Sequence, residues 1–268
     1  MSLIYKEWLP QVLEIALNAG EAISAIYSEK KYSIKSKSDN SPVTEADLAA
    51  HQIIEQGLRQ IEPNIPILSE EGQSVPLEVR AKWPQYWLVD PLDGTKEFIQ
   101  RTGEFTVNIA LIRGNRPILG VVIAPLLQRC YWALEGEKAF LKVGKAAPTP
   151  IYSHLDPKPP YKIAVSRHHH SKKSEWSALL KRIGEHELVY LGSALKICLV
   201  AEGSADLYPR FGATSEWDTA AGQCILEAAG GELIDFNGHP LVYNTRSGLI
   251  NPFFYAICSR KLKNLCCG

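Results

Sequence analysis

Apolar residues recur at steps of three and four in two N-terminal stretches, which is the spacing of amphipathic helices. The first stretch spans residues 8–28, and the second begins near Thr44, where Thr44 and Asp47 have the spacing of a capping box. The polar, lysine-rich segment 30–42 between them has no apolar period and contains serine, asparagine and proline. The sequence therefore predicts helix, loop and helix in this part of the chain.

The apolar pattern then changes to that of strands. A short run at residues 65–68 and a longer one at 86–90 both lead into acidic residues. Three β-branched, apolar runs follow at 105–112, 118–125 and 130–136, separated by short polar segments. Because these runs are closely spaced, we expect them to form an antiparallel meander.

Strand and helix patterns alternate from residue 161 onward, which predicts a second, α/β sheet. Segment 142–160 is rich in proline and small residues, and it marks the predicted subdomain boundary. We therefore predict a mixed α/β fold. An antiparallel sheet lies in the N-terminal subdomain, residues 1–150, and the α/β sheet lies in the C-terminal subdomain, residues 151–268.

Charge and composition restrict the classes of partner. The chain has 29 basic and 29 acidic residues and a formal net charge of zero, so no general positive field attracts nucleic acid or an anionic membrane. Its longest apolar run, residues 118–127, is too short to span a bilayer. The six cysteines form no zinc or redox motif, and Cys266 and Cys267 lack a full lipidation pattern. Reduced thiols in a cytoplasmic protein are expected.

Acidic residues at the ends of predicted elements are the candidate chemistry. They are Glu70 and Glu71, Asp90 and Asp93, Asp47, and Asp218. Buried carboxylates are costly without a partner, and a set of oxygen ligands favours a hard cation, Mg²⁺ first. A surface Asp-Gly turn is an equal alternative for residues 90–94 taken alone. Simple helix capping is the alternative for Asp47 and for Asp218, which stands where an N-cap acid is common.

The segment "DPLDG" suits a metal and phosphate site. A proline turn can bend Asp93 back beside Asp90 and expose the carbonyl group of Leu92. Gly94 lets the backbone approach a ligand closely. Thr95 can begin a helix whose free N–H groups receive a phosphate.

Three motifs stand in a known order: "LSEEG", "WLVDPLDGTKEF" and "WDTAAG". Together they resemble the lithium-sensitive, Mg²⁺-dependent inositol monophosphatase superfamily. The variant "DGTKEF", with "GSALKICLVAEG" and "LYPRFG", is most similar to the 3'(2'),5'-bisphosphate nucleotidases of CysQ type. The resemblance implies layers in the order α-β-α-β-α. It also implies removal of the 3'-phosphate of adenosine 3',5'-bisphosphate (PAP), giving AMP, with the sulfated form PAPS as a second substrate, in sulfur assimilation.

The resemblance also implies residue roles, with metal-binding loops in the first subdomain and nucleotide contacts in the second. The expected ligands are Glu70, Asp90 and the Leu92 carbonyl for one Mg²⁺, and Asp90, Asp93 and Asp218 for a second. A third, weaker ion is implied near Asp47 and Glu70. The other implied roles are water activation by Asp47 and Thr95, phosphate binding by the N–H groups of Gly94 and Thr95, and nucleotide contacts by His169, Ser193, Lys196 and Arg210. The substrate would also be bordered by four of the metal-binding residues, Glu70, Leu92, Asp93 and Asp218.

Two positions depart from the family pattern. Ala194 replaces the second of two usual serines, and His168 stands where serine is common. An inositol or sugar monophosphatase remains an alternative, although "DGTKEF" argues against it. A non-catalytic nucleotide or metal sensor is the alternative outside enzymes. The resemblance implies a cytoplasmic location and also allows a peripheral position at the inner membrane, and it leaves the oligomeric state open.

Overall fold

The computed structural model describes residues 3–29, 34–36, 42–167 and 173–267. In these ranges the helices are α1 (Leu3–Ser28), α2 (Glu45–Ile61), α3 (Leu77–Arg80), α4 (Thr95–Ile99), α5 (Lys173–Ile183), α6 (Leu195–Ala201), α7 (Glu216–Ala228) and α8 (Arg260–Cys267). The predicted first helix begins at Leu3 rather than at residue 8, because Tyr5 and Trp8 extend its buried face.

The strands pair into two large sheets and one small ribbon. They are β1 (Ile34–Ser36), β2 (Pro42–Thr44), β3 (Ile67–Ser69), β4 (Gln85–Asp93), β5 (Thr106–Arg113), β6 (Arg116–Ala124), β7 (Arg129–Leu134), β8 (Ala139–Val143), β9 (Thr149–Ile151), β10 (Tyr161–Val165), β11 (His186–Tyr190), β12 (Leu207–Arg210), β13 (Glu232–Asp235) and β14 (Phe254–Ile257). Strand β1 lies within the segment for which the sequence predicts a loop, and β2 begins at the end of that segment and leads directly into α2.

The first sheet has seven strands in chain order, from β3 to β9. Its pairs are antiparallel except β3–β4, which is parallel, so the predicted meander is confirmed. Strand β9 ends at Ile151 and extends this sheet through the proline-rich segment. The division at residue 150 stays a prediction.

The second sheet has five strands in the order β11-β10-β12-β14-β13. Strand β10 is parallel to β11 and β12, whereas β14 is antiparallel to both of its neighbours. The predicted α/β character of this half is confirmed, but β14 and α8 were not predicted.

Helices and sheets form five layers, the arrangement that the resemblance implies. Helices α1 and α2 cover the outer face of the first sheet, α6 and α7 lie between the sheets, and α5 and α8 are associated with the second sheet. Buried residues of both sheets and of α7 form one continuous core. The approach of α7 to β6 is so close that a Cβ atom at Gly120 would lie 2.4 Å from the carbonyl oxygen of Ala221. No helix in the described ranges is long and apolar enough to cross a membrane.

Candidate active site

The end of β4 and the start of α7 bring three carboxylates together. Asp90, Asp93 and Asp218 each offer a carboxylate oxygen, and these atoms lie within 4.8 Å of one another. The β4–β5 ladder shifts register between Asp90 and Asp93, which produces the bend that the proline turn predicts. Asp90 Oδ1 accepts a hydrogen bond of 3.0 Å from the N–H of Leu92, which fixes the turn. Such a group of carboxylates suits a cation.

Burial and mutual repulsion disfavour the charged forms of these acids. Burial raises the pKa of Asp90 well above its usual value, and Glu70, Asp93 and Asp218 raise this pKa further. Asp93 and Asp218 keep part of their surface exposed, yet burial raises the pKa of Asp93 to about 6 and that of Asp218 to about 8. A hydrogen bond joins the Glu70 and Asp90 side chains. Lys196 lowers the pKa of Asp93 and Arg210 lowers that of Asp218, but these two cations compensate the acids only in part.

Asp47 has both of the contacts that its two candidate roles require. It is the third residue of α2 and forms the capping box with Thr44. Its Oδ2 accepts hydrogen bonds from the N–H and the hydroxyl of Thr44 at 2.8 and 2.6 Å. Its Oδ1 accepts from the hydroxyl of Thr95 at 3.1 Å. Helix capping and a link to Thr95 are therefore compatible.

Asp218 takes part in capping α7, as the capping alternative holds, but it is not the N-cap residue itself. The N-cap of α7 is Ser215, whose N–H donates to Asp218 Oδ2 at 2.9 Å. Asp218 therefore occupies the third helical position, as Asp47 does in α2. Both helices use a capping box to aim a carboxylate toward one region.

Gly94 makes the turn from β4 into α4. Its φ of 95° is in the left-handed region, which glycine adopts without strain. A Cβ atom there would lie 3.3 Å from atoms of Glu97, Glu104 and Phe105. Helix α4 begins at Thr95, as predicted, so the N–H groups of Gly94 and Thr95 directly follow Asp93 at the start of this helix.

A cavity beside the acids carries two cationic side chains. Its lining includes Asp93, Ser193, Lys196, Arg210 and Asp218. Lys196 is buried, and its Nζ donates to the carbonyl oxygen of Ser193 at 2.8 Å. Burial lowers its pKa to about 8. The cavity therefore combines the predicted nucleotide contacts with the acid cluster.

Arg210 belongs to the same cavity, where it also orders a loop. Its guanidinium group donates to the carbonyl oxygens of Gly212 and Ala213 at 3.3 and 2.9 Å and to the hydroxyl of Ser166 at 3.3 Å. Part of its hydrogen-bonding capacity is therefore used within the protein. The predicted contact at His169 lies outside the described residues.

Comparison with known proteins decides the family. The family model described as inositol monophosphatase family matches residues 5–267. The chain belongs to this family. A 3'(2'),5'-bisphosphate nucleotidase CysQ of Shigella flexneri is 51% identical over 247 residues, which are 92% of this chain and 98% of the relative. The resemblance to the CysQ-type group is therefore confirmed.

Two solved structures resemble the chain over almost its whole length. The crystal structure of CysQ from Bacteroides thetaiotaomicron has a TM-score of 0.83 and 40% identity, and the match covers 96% of this chain and 99% of that one. The suhB protein of Bartonella henselae has a TM-score of 0.79 at 24% identity, over 96% and 95% of the two chains. The second likeness shows the fold alone.

Three polar residues near the site were missed by the sequence analysis. Thr106 and Asn108 on β5 pair in the ladder with Asp93 and Asp90. They are buried, and their side chains have no hydrogen-bond partner among the described residues. Their spacing of two within an apolar strand is a signal that could have identified them. Glu104, just before β5, is also buried and carries no such local signal.

Proposed function

We propose that the chain is a metal-dependent 3'(2'),5'-bisphosphate nucleotidase that releases the 3'-phosphate of PAP and also acts on PAPS. The observation that carries this proposal is the position of the acid cluster beside a cavity that contains Lys196 and Arg210. A bisphosphate needs both features, because a metal site offsets charge only at the phosphate being cleaved. The curated relatives carry the matching name.

The acids fit a hard divalent cation. They supply oxygen ligands, and their raised pKa values indicate that the charged forms need compensation. Mg²⁺ would be held by Glu70, Asp90 and the Leu92 carbonyl at one position, and by Asp90, Asp93 and Asp218 at another. A third, weaker ion would lie near Asp47 and Glu70. When bound, such ions lower the pKa of water and offset charge on a phosphoryl group.

Asp47 and Thr95 would move the proton of the attacking water. The hydroxyl of Thr95 already donates to Asp47 Oδ1. Thr95 Oγ1 could therefore accept a proton from water while its own proton passes to Asp47. The N–H groups of Gly94 and Thr95 would orient the phosphoryl oxygens, since they lie at the start of α4.

Lys196, Arg210 and Ser193 would bind the phosphate that is not cleaved. Lys196 and Arg210 belong to the second half of the chain but line the cavity together with Asp93 of the first half. Their positive charges attract a phosphate locally. A chain of zero net charge has no general positive field that could do so. A substrate with one phosphate would gain less from them.

A substrate panel scored by phosphate release in Mg²⁺ tests this function. We expect a much higher kcat/KM for PAP than for inositol 1-phosphate. Lys196→Ala should raise KM for PAP roughly tenfold, the loss expected for one charge-assisted hydrogen bond. It should change KM for inositol 1-phosphate far less. Lys181→Ala, which removes an exposed lysine from α5, is the control.

Preference for inositol 1-phosphate, or an equal effect of Lys196→Ala on both substrates, would favour the monophosphatase alternative. Absence of phosphate release from any substrate, with PAP still bound, would favour the sensor. We also propose a cytoplasmic location, which the six free cysteines support. A peripheral position at the membrane has no support among the described residues.

A further inference from the structure

Glu104 is a buried carboxylate that joins the two halves of the chain beside the cavity. Its Oε2 accepts a hydrogen bond of 2.9 Å from the N–H of Gly192, which lies in the second half. Its Oε1 accepts from Arg167 Nη2 at 2.5 Å, and Arg167 Nε approaches Oε2 at 3.3 Å. Two donors of the same guanidinium group therefore fix the plane of the carboxylate.

The Glu104 contact leads directly to the residues that line the cavity. Residues 192–196, which we name the substrate loop, comprise most of the connection from β11 to α6 and the first two residues of α6. The N–H of Ala194 donates to Asp93 Oδ2 at 2.5 Å, and Lys196 Nζ donates to the carbonyl oxygen of Ser193. The substrate loop thus has two carboxylate anchors from the first half, Asp93 at one side and Glu104 at the other.

The backbone of the substrate loop needs such anchors. Ser193 has a φ of 50°, in the left-handed region that non-glycine residues seldom adopt. Such a conformation persists only where surrounding contacts impose it. The hydrogen bonds at Gly192 and Ala194 flank this residue on both sides and hold it in place.

Gly192 provides a second, independent indication of the same contact. A Cβ atom at this position would lie 2.6 Å from the carbonyl oxygen of Glu104 and 2.8 Å from Cγ of Glu97. The first of these atoms belongs to the backbone and cannot rotate away. The substrate loop therefore packs directly on the Glu104 backbone as well as on its side chain.

We propose that Glu104 is a positioning residue that sets the substrate loop, and through it Lys196, for the phosphate that is not cleaved. This inference rests on the proposed function. Glu104 acts through Gly192 and Ser193 and does not touch the reacting atoms. Arg167 supports it from the exposed side by orienting the carboxylate. Loss of the Glu104 carboxylate should therefore weaken the binding of a bisphosphate more than it slows the cleavage of the bound bisphosphate.

The test compares PAP with 3'-AMP, which has the same scissile phosphate and lacks the 5'-phosphate. We expect Glu104→Ala to raise KM for PAP about tenfold, the equivalent of one charge-assisted hydrogen bond. Its KM for 3'-AMP and its kcat should change much less. Glu104→Gln keeps an oxygen that can accept from Gly192 and should restore most of the affinity. Glu135→Ala, which breaks an exposed Arg113–Glu135 pair of 2.9 Å, is the matched control.

Hydrogen–deuterium exchange of the peptide that covers residues 191–196 supplies a readout that needs no turnover. Exchange should be faster in Glu104→Ala than in wild type and in Glu135→Ala. Unchanged exchange, or equal changes of KM for PAP and 3'-AMP, would overturn the positioning role. Wild-type protein that does not cleave PAP contradicts the proposed function instead, and exchange then still decides whether Glu104 anchors the substrate loop.

Discussion

Asp47 shows how one side chain can serve structure and chemistry with separate atoms. One carboxylate oxygen accepts from Thr44 and completes the capping box, and the other accepts from Thr95 beside the acid cluster. The sequence raised capping and water activation as competing interpretations. The geometry makes the two roles compatible. Measurements of both stability and rate are therefore needed to determine how much each role contributes.

Asp47→Ala should affect stability and rate in different proportions. Loss of the cap should lower the free energy of unfolding by ~1 kcal/mol, and loss of the proton acceptor should lower kcat by ~10²-fold or more. Thr44→Ala removes the other half of the capping box and should reproduce only the stability loss. Urea unfolding and steady-state kinetics measure both. An Asp47→Ala protein with normal kcat and a lower Tm would limit Asp47 to capping.

Asp90→Asn should nearly abolish activity, since Asp90 is the carboxylate proposed to contact two cations. The same change replaces a buried carboxyl group whose charged form is disfavoured by burial and by Glu70, Asp93 and Asp218. Mg²⁺ should raise the Tm of the variant much less than that of the wild type, because one proposed ligand is lost. Asp156→Asn alters an exposed acid and is the control. Retention of most of the wild-type kcat would refute the bridging role.

At the scale of elements, the end of β4 and the start of α7 hold acids whose pKa values are raised. Folding therefore adds protons, and the free energy of unfolding of the metal-free protein should fall as pH rises from 3.8, the ordinary carboxyl pKa, to about 8. Mg²⁺ must displace those protons, so its affinity should rise over the same window. Differential scanning fluorimetry with EDTA or Mg²⁺, and calorimetry in two buffers, measure these effects. A Mg²⁺-induced Tm shift that is independent of pH would contradict this prediction.

Most elements could be predicted because their apolar period is local. The meander, α2 and α7 follow from patterns within single segments. Strands β8 and β9 were missed because they are short and partly exposed. The strand order of the second sheet could not be derived, since apolar periodicity identifies a strand but not its partners.

The residues of the candidate site also include some that the sequence predicts and some that it does not. Asp90, Asp93 and Gly94 lie in one short motif, so their proximity followed from a local turn. Glu104 has partners 63 and 88 residues away, and its neighbours in sequence carry no pattern that indicates them. Thr106 and Asn108 were visible as polar residues within an apolar strand, but the ladder that places them opposite Asp93 and Asp90 is a tertiary feature.

At the scale of the whole molecule, α7 covers the inner face of the first sheet although it belongs to the second half of the chain. A fragment of residues 1–151 contains all seven strands of the first sheet but not this cover. We expect the fragment to bind a hydrophobic dye and to aggregate, and the full chain to do neither. A soluble, monomeric fragment that does not bind the dye would support two independently folding units.

The position of α7 between the sheets also affects synthesis on the ribosome. The last strand of the first sheet ends at Ile151, and α7 ends at Ala228. At about 5–20 residues per second, the roughly 80 residues between these points take roughly 4–15 s to translate. During that interval the nascent sheet has an uncovered apolar face. The growing chain should therefore be a substrate for chaperones at this stage, and slow codons between the two points should lower the yield of folded enzyme.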